Sequence, residues 1–301
     1  MVFLIFIISN QKNAFSSLNV HYARALGTKE IIKKLKMNRP MSMLLSRNAI
    51  SIPILILSLF FHESKAQEKL IQRFSPPPEY HWAPTIQGSF SQWLGDLKLK
   101  PKKSHTHTYF GEIAGSDMFT AAVLEDYNPK NSLQQCADAI IRLRAEYLYN
   151  AKKYSSISFH FTNGMNCPYL EFRKGYRFNK GKWILSQGED LSRKGFDQYL
   201  NLVFEYAGTL SLEKELKPYT RNSKIQAGDI FIHGGSPGHA FIILGLIENA
   251  AGHPKFLIGQ SYIPAQEIQV LEYKGNPWFE LGQNPDFPYG ELINTKYLRI
   301  F

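Results

Sequence analysis

The sequence predicts an α+β fold, with helices early in the chain and a mainly antiparallel sheet in its last third. Two stretches, 133–149 and 196–206, carry apolar side chains at helical spacing. Four short apolar runs, each typical of a strand, follow them. These runs are 229–232, 239–246, 256–259 and 268–273. Helices and strands that are segregated in this way are typical of α+β folds, whereas regular alternation would indicate a parallel sheet.

Shorter patterns predict the remaining elements. Ser89 stands before apolar residues at helical spacing and predicts a capped helix over 89–97. Asn131 and Ser132 are expected to cap the helix over 133–149, and Gly208 to end the helix over 196–206. Aromatic and basic residues between glycine-containing turns predict a hairpin. That hairpin covers 169–185, and further strands are expected at 106–112, 119–124 and 157–162.

Residues 1–66 have the composition of an export leader. An uncharged apolar run at 50–61 follows Arg39 and Arg47, and Ser64-Lys65-Ala66 provides a small-x-small cleavage site. The alternative interpretation of this run is a transmembrane anchor. The run is short for an anchor, because a helix that spans a bilayer needs about 20 apolar residues. We therefore expect cleavage near Ala66, a periplasmic or secreted location, and no stable membrane span after cleavage. Residues 1–40 are interpreted as an extension that results from a start codon assigned too far upstream.

Most of the positive charge lies in the predicted leader. The chain has 35 Lys+Arg against 25 Asp+Glu, a formal charge of +10, and nine of these basic residues but only two of the acidic ones precede residue 67. The remainder, 67–301, is long enough for one globular domain and is close to neutral. Nucleic-acid binding, which calls for clustered Lys and Arg, is therefore not expected.

Two residues in separate parts of the chain are candidates for nucleophilic chemistry. Cys136 lies in the first turn of the helix over 133–149, where a helix N-terminus is expected to lower the pKa of a thiol. His239 follows a glycine- and proline-rich loop and opens an apolar strand, which would orient its ring at the edge of a sheet. Each residue also has an ordinary structural interpretation. Cysteine in an apolar helical stripe is often a small core residue, and a lone histidine often bonds a neighbouring backbone group.

The order of these motifs resembles that of the NlpC/P60 and CHAP-type papain-like cysteine hydrolases. The matching positions are Cys136, Gly228-Asp229, Gly238-His239 and Gln260. The resemblance implies a papain-like fold, with early helices packed on a mainly antiparallel sheet. It departs from these families at the nucleophile, where they usually carry Asp-Cys-Ser-Gly and this chain has Gln135-Cys136-Ala137-Asp138.

On this resemblance, the catalytic group would contain four residues. Cys136 would be the nucleophile and His239 the base that activates it and later protonates the leaving amine. Gln260 would hold the imidazole tautomer, and Gln135 is the candidate oxyanion donor. A nucleophile must be a free thiol, so Cys136 and Cys167 are expected not to form a disulfide.

Longer runs of the chain resemble an uncharacterised secreted family, domain of unknown function 4846. The runs that carry this resemblance are SFSQWLGDLKLKP, LQQCADAIIRLRAEYLY, YAGTLSLEKEL, GDIFIHGGSPGHAFII and GQSYIPAQ. This family implies no particular activity.

The function expected from these observations is an exported cysteine hydrolase of peptide or amide bonds, acting on a peptide or peptidoglycan-like substrate without a cofactor or metal. One alternative is a non-catalytic glycan- or peptide-binding envelope protein. Its aromatic groove would include Tyr169, Phe172, Tyr176, Phe178 and Trp183, although these residues are also expected to pack within the hairpin.

A second alternative is a metal hydrolase. His105 and His107 would point to one face of a strand, and His160 or His233 would complete the ligand set.

Overall fold

The computed structural model describes residues 67–220 and 222–301. The predicted leader, including the apolar run at 50–61 and the cleavage site near Ala66, lies outside the described residues. In the part of the chain that is described, no helix is long and apolar enough to cross a membrane.

A large antiparallel sheet is the main element of the fold. The described strands, in chain order, are β1 (Tyr80–Trp82), β2 (Thr120–Val123), β3 (Ser158–His160), β4 (Asn166–Pro168), β5 (Tyr176–Asn179), β6 (Lys182–Leu185), β7 (Lys217–Pro218), β8 (Ile230–His233), β9 (His239–Asn249), β10 (Pro254–Gln260), β11 (Gln269–Leu271) and β12 (Leu298–Ile300). The main sheet has the order β2-β11-β10-β9-β8-β12-β7, and β1 also pairs with β9. Strands β3 and β4 form one separate pair, and β5 and β6 form another.

Six α-helices are found among the described residues. They are α1 (Leu70–Arg73), α2 (Phe90–Gly95), α3 (Cys136–Asn150), α4 (Tyr169–Arg173), α5 (Arg193–Tyr206) and α6 (Thr209–Glu215). Helix α3 packs on β9 and β10, and α2 also contacts β9. Residues 239–245 of β9 are all buried, which explains why this strand is almost continuously apolar instead of alternating.

The predicted α+β class with a mainly antiparallel sheet is confirmed, but the start of α3 differs from the prediction. The helix begins at Cys136 with Gln135 as its N-cap, because the Asp138 carboxylate accepts a hydrogen bond from the Gln135 backbone N–H at 3.0 Å. Asn131 instead accepts from the backbone N–H of Leu133 within the preceding loop. The predicted cap at Asn131 and Ser132 was therefore wrong. Cys136 is consequently the first helical residue.

One predicted strand and one predicted hairpin also differ from the prediction. The stretch 106–112 forms only isolated bridges, and the predicted hairpin over 169–185 begins with helix α4 before β5 and β6. Glu146, in α3, is fully buried. Its carboxylate accepts hydrogen bonds from Arg142 at 2.8 Å and Arg193 at 2.8 Å, so the charge is paired inside the packed helices.

Gly228, in the turn before β8, is expected to be sensitive to substitution. Its φ is +104°, and a Cβ added there would lie 2.7 Å from Cδ1 of Phe90. Gly228→Ala should therefore lower the free energy of unfolding by about 2–3 kcal/mol, because strain and a steric clash act together. Urea denaturation would measure this loss. Gly252→Ala is the control, since Gly252 has a φ of +77° but open space around it. Equal losses in both variants would contradict the proposed clash with Phe90.

Candidate active site at the sheet edge

Three of the predicted site residues lie at element ends that meet at one end of two neighbouring central strands of the sheet. β9 begins at His239, and its antiparallel neighbour β10 ends at Gln260. The beginning of one strand and the end of the other therefore share an edge. Helix α3, which begins at Cys136, packs on both strands. The fold thus brings together residues that are far apart in the sequence.

His239 and Gln260 are directly hydrogen-bonded. The distance between His239 Nε2 and Gln260 Oε1 is 2.7 Å. Since Oε1 of glutamine can only accept, Nε2 carries the proton and Nδ1 of the neutral ring keeps its lone pair. Burial lowers the pKa of His239 to about 4, although the hydrogen bond that His239 donates to Gln260 acts in the opposite direction. The imidazole is therefore neutral at pH 7 and able to accept a proton.

The Cys136 thiol lies beside the beginning of β9. Burial raises the pKa of this thiol to about 11, and the nearby Asp138 carboxylate adds to the effect. The backbone N–H groups of Cys136, Ala137 and Ala240 act in the opposite direction and lower the pKa. The expected lowering by the helix N-terminus is thus present, but desolvation exceeds it, so the predicted low pKa was wrong for this conformation. The thiol therefore lies near the backbone of Ala240, the residue that follows His239 in β9.

Aromatic rings cover His239. The Tyr289 ring stacks on the imidazole with centroids 4.6 Å apart and planes at 16°, and the Tyr262 ring lies at 5.2 Å. His239 is 2% exposed and Cys136 is 5% exposed. In this conformation both side chains are therefore covered and do not open onto a groove. The reason is the segment after β11, which places Tyr289 over the ring.

Gln135, the predicted oxyanion donor, lies at the N-cap of α3 and is half-buried. Its side-chain amide donates to the carbonyl oxygen of Ser132 at 3.3 Å. The backbone N–H groups of Cys136 and Ala137 act directly on the thiol. These backbone groups are further candidates for oxyanion stabilisation, and side-chain patterns in the sequence gave no sign of them.

Two buried carboxyl groups support the site. Asp229 accepts a hydrogen bond from the Gln226 N–H at 2.9 Å and closes the turn before β8, which gives the Gly228-Asp229 motif a structural role. Asp138 caps α3 through Oδ2, and its buried Oδ1 has no hydrogen-bond partner among the described residues. Burial raises the pKa of each carboxyl to about 7.

Three of the four histidines of the metal alternative each approach a different carboxylate. His105 lies 2.7 Å from Asp117, and His160 lies 3.3 Å from Glu215. His107 faces Glu267 at 3.6 Å. Over residues 67–220 and 222–301, no group of three or more His, Cys, Asp or Glu side chains is arranged to hold a metal ion.

The predicted aromatic groove is partly a packed core. Tyr169 and Phe172 are buried, and both rings contact Tyr199. Phe178 packs against Trp183 across the β5–β6 hairpin. These contacts favour the structural interpretation of the aromatic residues over the groove.

Both cysteines are free, as a nucleophilic Cys136 requires. Cys167 is fully buried, and its carbonyl oxygen accepts a hydrogen bond from the Tyr199 hydroxyl at 2.7 Å. Burial raises the pKa of the Cys167 thiol to about 12.

Two cavities differ in their relation to this site. One, of about 420 Å³, has Trp82, Gln92 and Gly245 in its wall and none of the predicted site residues. The other, of about 150 Å³, has Gln260 and Tyr262 in its wall. Only the smaller of these two therefore adjoins the candidate base.

The fold and the site together define an α+β protein with a cysteine, a histidine and a glutamine assembled at one edge of an antiparallel sheet. The family model described as Domain of unknown function (4846) matches residues 70–292. The chain belongs to this family, and the matched range contains all four predicted site residues. No curated protein and no solved structure matches the chain.

Proposed function

We propose that this protein is an exported cysteine hydrolase of peptide or amide bonds, with a papain-like arrangement of Cys136, His239 and Gln260. The observation that carries the proposal is the 2.7 Å hydrogen bond between His239 Nε2 and Gln260 Oε1. It leaves Nδ1 as the proton acceptor at the edge where α3 presents Cys136. The predicted leader at 1–66 supports action in the periplasm or outside the cell. The near-neutral charge of residues 67–301 gives no indication of nucleic-acid binding, in agreement with this location.

The chemistry follows from these positions. His239 Nδ1 takes the thiol proton while the Cys136 sulfur bonds to the substrate carbonyl carbon. The backbone N–H groups of Cys136 and Ala137 stabilise the oxyanion that forms. His239 then donates the proton to the leaving amine as its bond to carbon breaks, which leaves a thioester. His239 then takes a proton from water as its oxygen bonds to the thioester carbon. The carbon–sulfur bond breaks, the acid is released, and His239 returns the proton to sulfur.

The high pKa of Cys136 and the low pKa of His239 determine how the first step occurs. Both shifts disfavour a preformed thiolate–imidazolium pair. Proton transfer is therefore concerted with attack on the carbonyl. Substrate entry also requires Tyr289 to leave the face of the imidazole, so the described conformation is a closed one.

The same burial favours a second candidate function, a non-catalytic peptide-binding protein. In that case Cys136 and His239 would remain packed beneath Tyr289 and Tyr262 when a peptide is bound. Chemical turnover separates the two candidates, because a binding protein releases its peptide intact.

The test is incubation of the purified protein with a peptide mixture and with isolated cell-wall sacculi. We expect new amino termini, detected by mass spectrometry. They should be absent when the protein has been alkylated under denaturing conditions and then refolded. Mock-treated, refolded protein is the control and should still produce them. Since His239 must be neutral to accept the proton, kcat/KM should fall only as the pH drops through about 4. Cleavage that is insensitive to alkylation, or the absence of any cleavage, would contradict the proposal.

A further inference from the structure

The cavity of about 150 Å³ beside the candidate site is mostly apolar. Its wall is formed by Gly115, Ser116, Phe119, Gln260, Tyr262, Ile263, Pro264, Leu271, Phe287 and Pro288. Among the described residues that line it, none is charged. Ser116 Oγ lies within hydrogen-bond distance of Gln266 and Gln269, so its hydroxyl already has partners. An occupant would therefore meet apolar surface on most sides.

The cavity is directly connected to the candidate base. Gln260 both lines the cavity and accepts the hydrogen bond from His239. Tyr262 also lines it and packs against the imidazole. Phe287 forms another part of the wall and contacts Phe241, whose ring lies 4.7 Å from that of His239. A side chain in the cavity would therefore belong to a residue close to the bond being cleaved.

Exposed apolar residues continue from the cavity. Ile263, which lines it, is 61% exposed, and Met118, next to the lining residue Phe119, is 76% exposed. The backbone N–H of Tyr109 bonds to the Ala265 carbonyl at 2.8 Å, which holds the exposed Phe110 near the same loop. Apolar surface that continues from a cavity in this way is typical of a binding site.

We propose that this cavity is a specificity pocket that takes one uncharged apolar side chain of the substrate, aromatic or branched aliphatic, next to the scissile bond. A cavity of about 150 Å³ lined by apolar side chains is large enough for one benzene ring. A charged side chain would lose its hydration there without gaining a counter-charge. This inference rests on the proposed function, because only a hydrolase has a substrate with a scissile bond. The binding of the side chain in the cavity does not itself depend on hydrolysis.

The test measures binding without turnover, in the full protein carrying Cys136→Ala. N-acetyl-L-phenylalanine amide and N-acetyl-L-glutamate amide are titrated while the methyl resonances of Ile263 and Leu271 are followed by NMR. We expect the phenylalanine probe to shift these resonances and to bind at least about tenfold more tightly than the glutamate probe. Equal affinities, or no shift of either resonance, would overturn the proposal.

A pair of glycine variants locates the binding. A Cβ at Gly115 meets nothing within 4 Å, so Gly115→Phe adds a ring at the cavity wall without a clash and should weaken the phenylalanine probe at least about tenfold. Gly188, which is also exposed with open space around it, does not line the cavity, and Gly188→Phe should leave the affinity unchanged. An unchanged affinity in folded Gly115→Phe would overturn the proposal. If Gly115→Phe does not fold, the comparison of the phenylalanine and glutamate probes still decides whether the cavity selects an apolar side chain.

The outcomes separate this inference from the proposed function. Selective binding by a protein whose wild type cleaves nothing supports the pocket and contradicts the hydrolase. Cleavage that shows no preference for apolar residues, together with equal probe affinities, contradicts the pocket alone.

Discussion

Replacing Cys136 by alanine is expected to reduce hydrolysis by about 10⁴-fold or more, and His239→Ala by a similar factor. Nucleophile and base act as a unit, so removal of either member removes most of the acceleration that they provide together. Initial rates on the best substrate, compared with those of the wild type, measure the effect.

Cys167→Ala is the matched control for the cysteine variant. Cys167 is also buried and free, but it lies on β4, away from the β9 and β10 ends that carry His239 and Gln260. The control should keep its activity even if it loses some stability. Unfolding curves for all three variants would show that lost activity does not reflect an unfolded protein. Full activity of a folded Cys136→Ala protein would rule out the proposed nucleophile.

Gln260→Ala should lower kcat by about 10- to 100-fold, which is the second large effect. The substitution leaves the buried Nε2–H of His239 without its acceptor, and an unsatisfied buried donor costs about 1–3 kcal/mol. The ring then loses the contact that keeps Nδ1 available as the base. The expected loss lies in kcat, since Gln260 acts through His239.

Gln260→Glu distinguishes a positioning role from a merely structural one. A carboxylate at this position would still accept the Nε2–H, and its charge would raise the pKa of His239 above its present value of about 4. The acidic limb of kcat/KM should therefore move to higher pH, whereas a purely structural substitution would leave it in place. An unchanged limb in an active Gln260→Glu protein would contradict the role assigned to Gln260.

Local patterns predicted many of the helices and strands because their signals lie within a few residues. Ser89 caps α2 through a hydrogen bond from Gln92, and the apolar run after His239 forms the buried strand β9. The start of α3 was missed because Asp138 caps the helix from inside its first turn. The position of Asp138 in the sequence is the same whether its carboxylate pairs with Arg142 or accepts a hydrogen bond from the backbone N–H of Gln135. The sequence alone therefore does not distinguish the two roles.

The proximity of His239 and Gln260 was predictable from the sequence, but the environment of His239 was not. Gly238-His239 and Gln260 mark the ends of neighbouring strands, and antiparallel pairing brings such ends together. The covering ring of Tyr289 comes from an irregular segment whose path depends on tertiary contacts. For that reason the sequence could not show that burial would raise the pKa of Cys136 to about 11.

The most direct test of the central claim is labelling of Cys136 by a peptidyl chloromethyl ketone, followed by intact-mass and peptide mass spectrometry. A nucleophilic Cys136 displaces chloride and forms a stable thioether. We predict one adduct per chain, located on Cys136 and not on Cys167, with labelling slowed by about 10²-fold or more in His239→Ala because the base is missing. Labelling of Cys136 only after denaturation, or at the same rate in folded His239→Ala, would contradict the assignment of Cys136 and His239 as nucleophile and base.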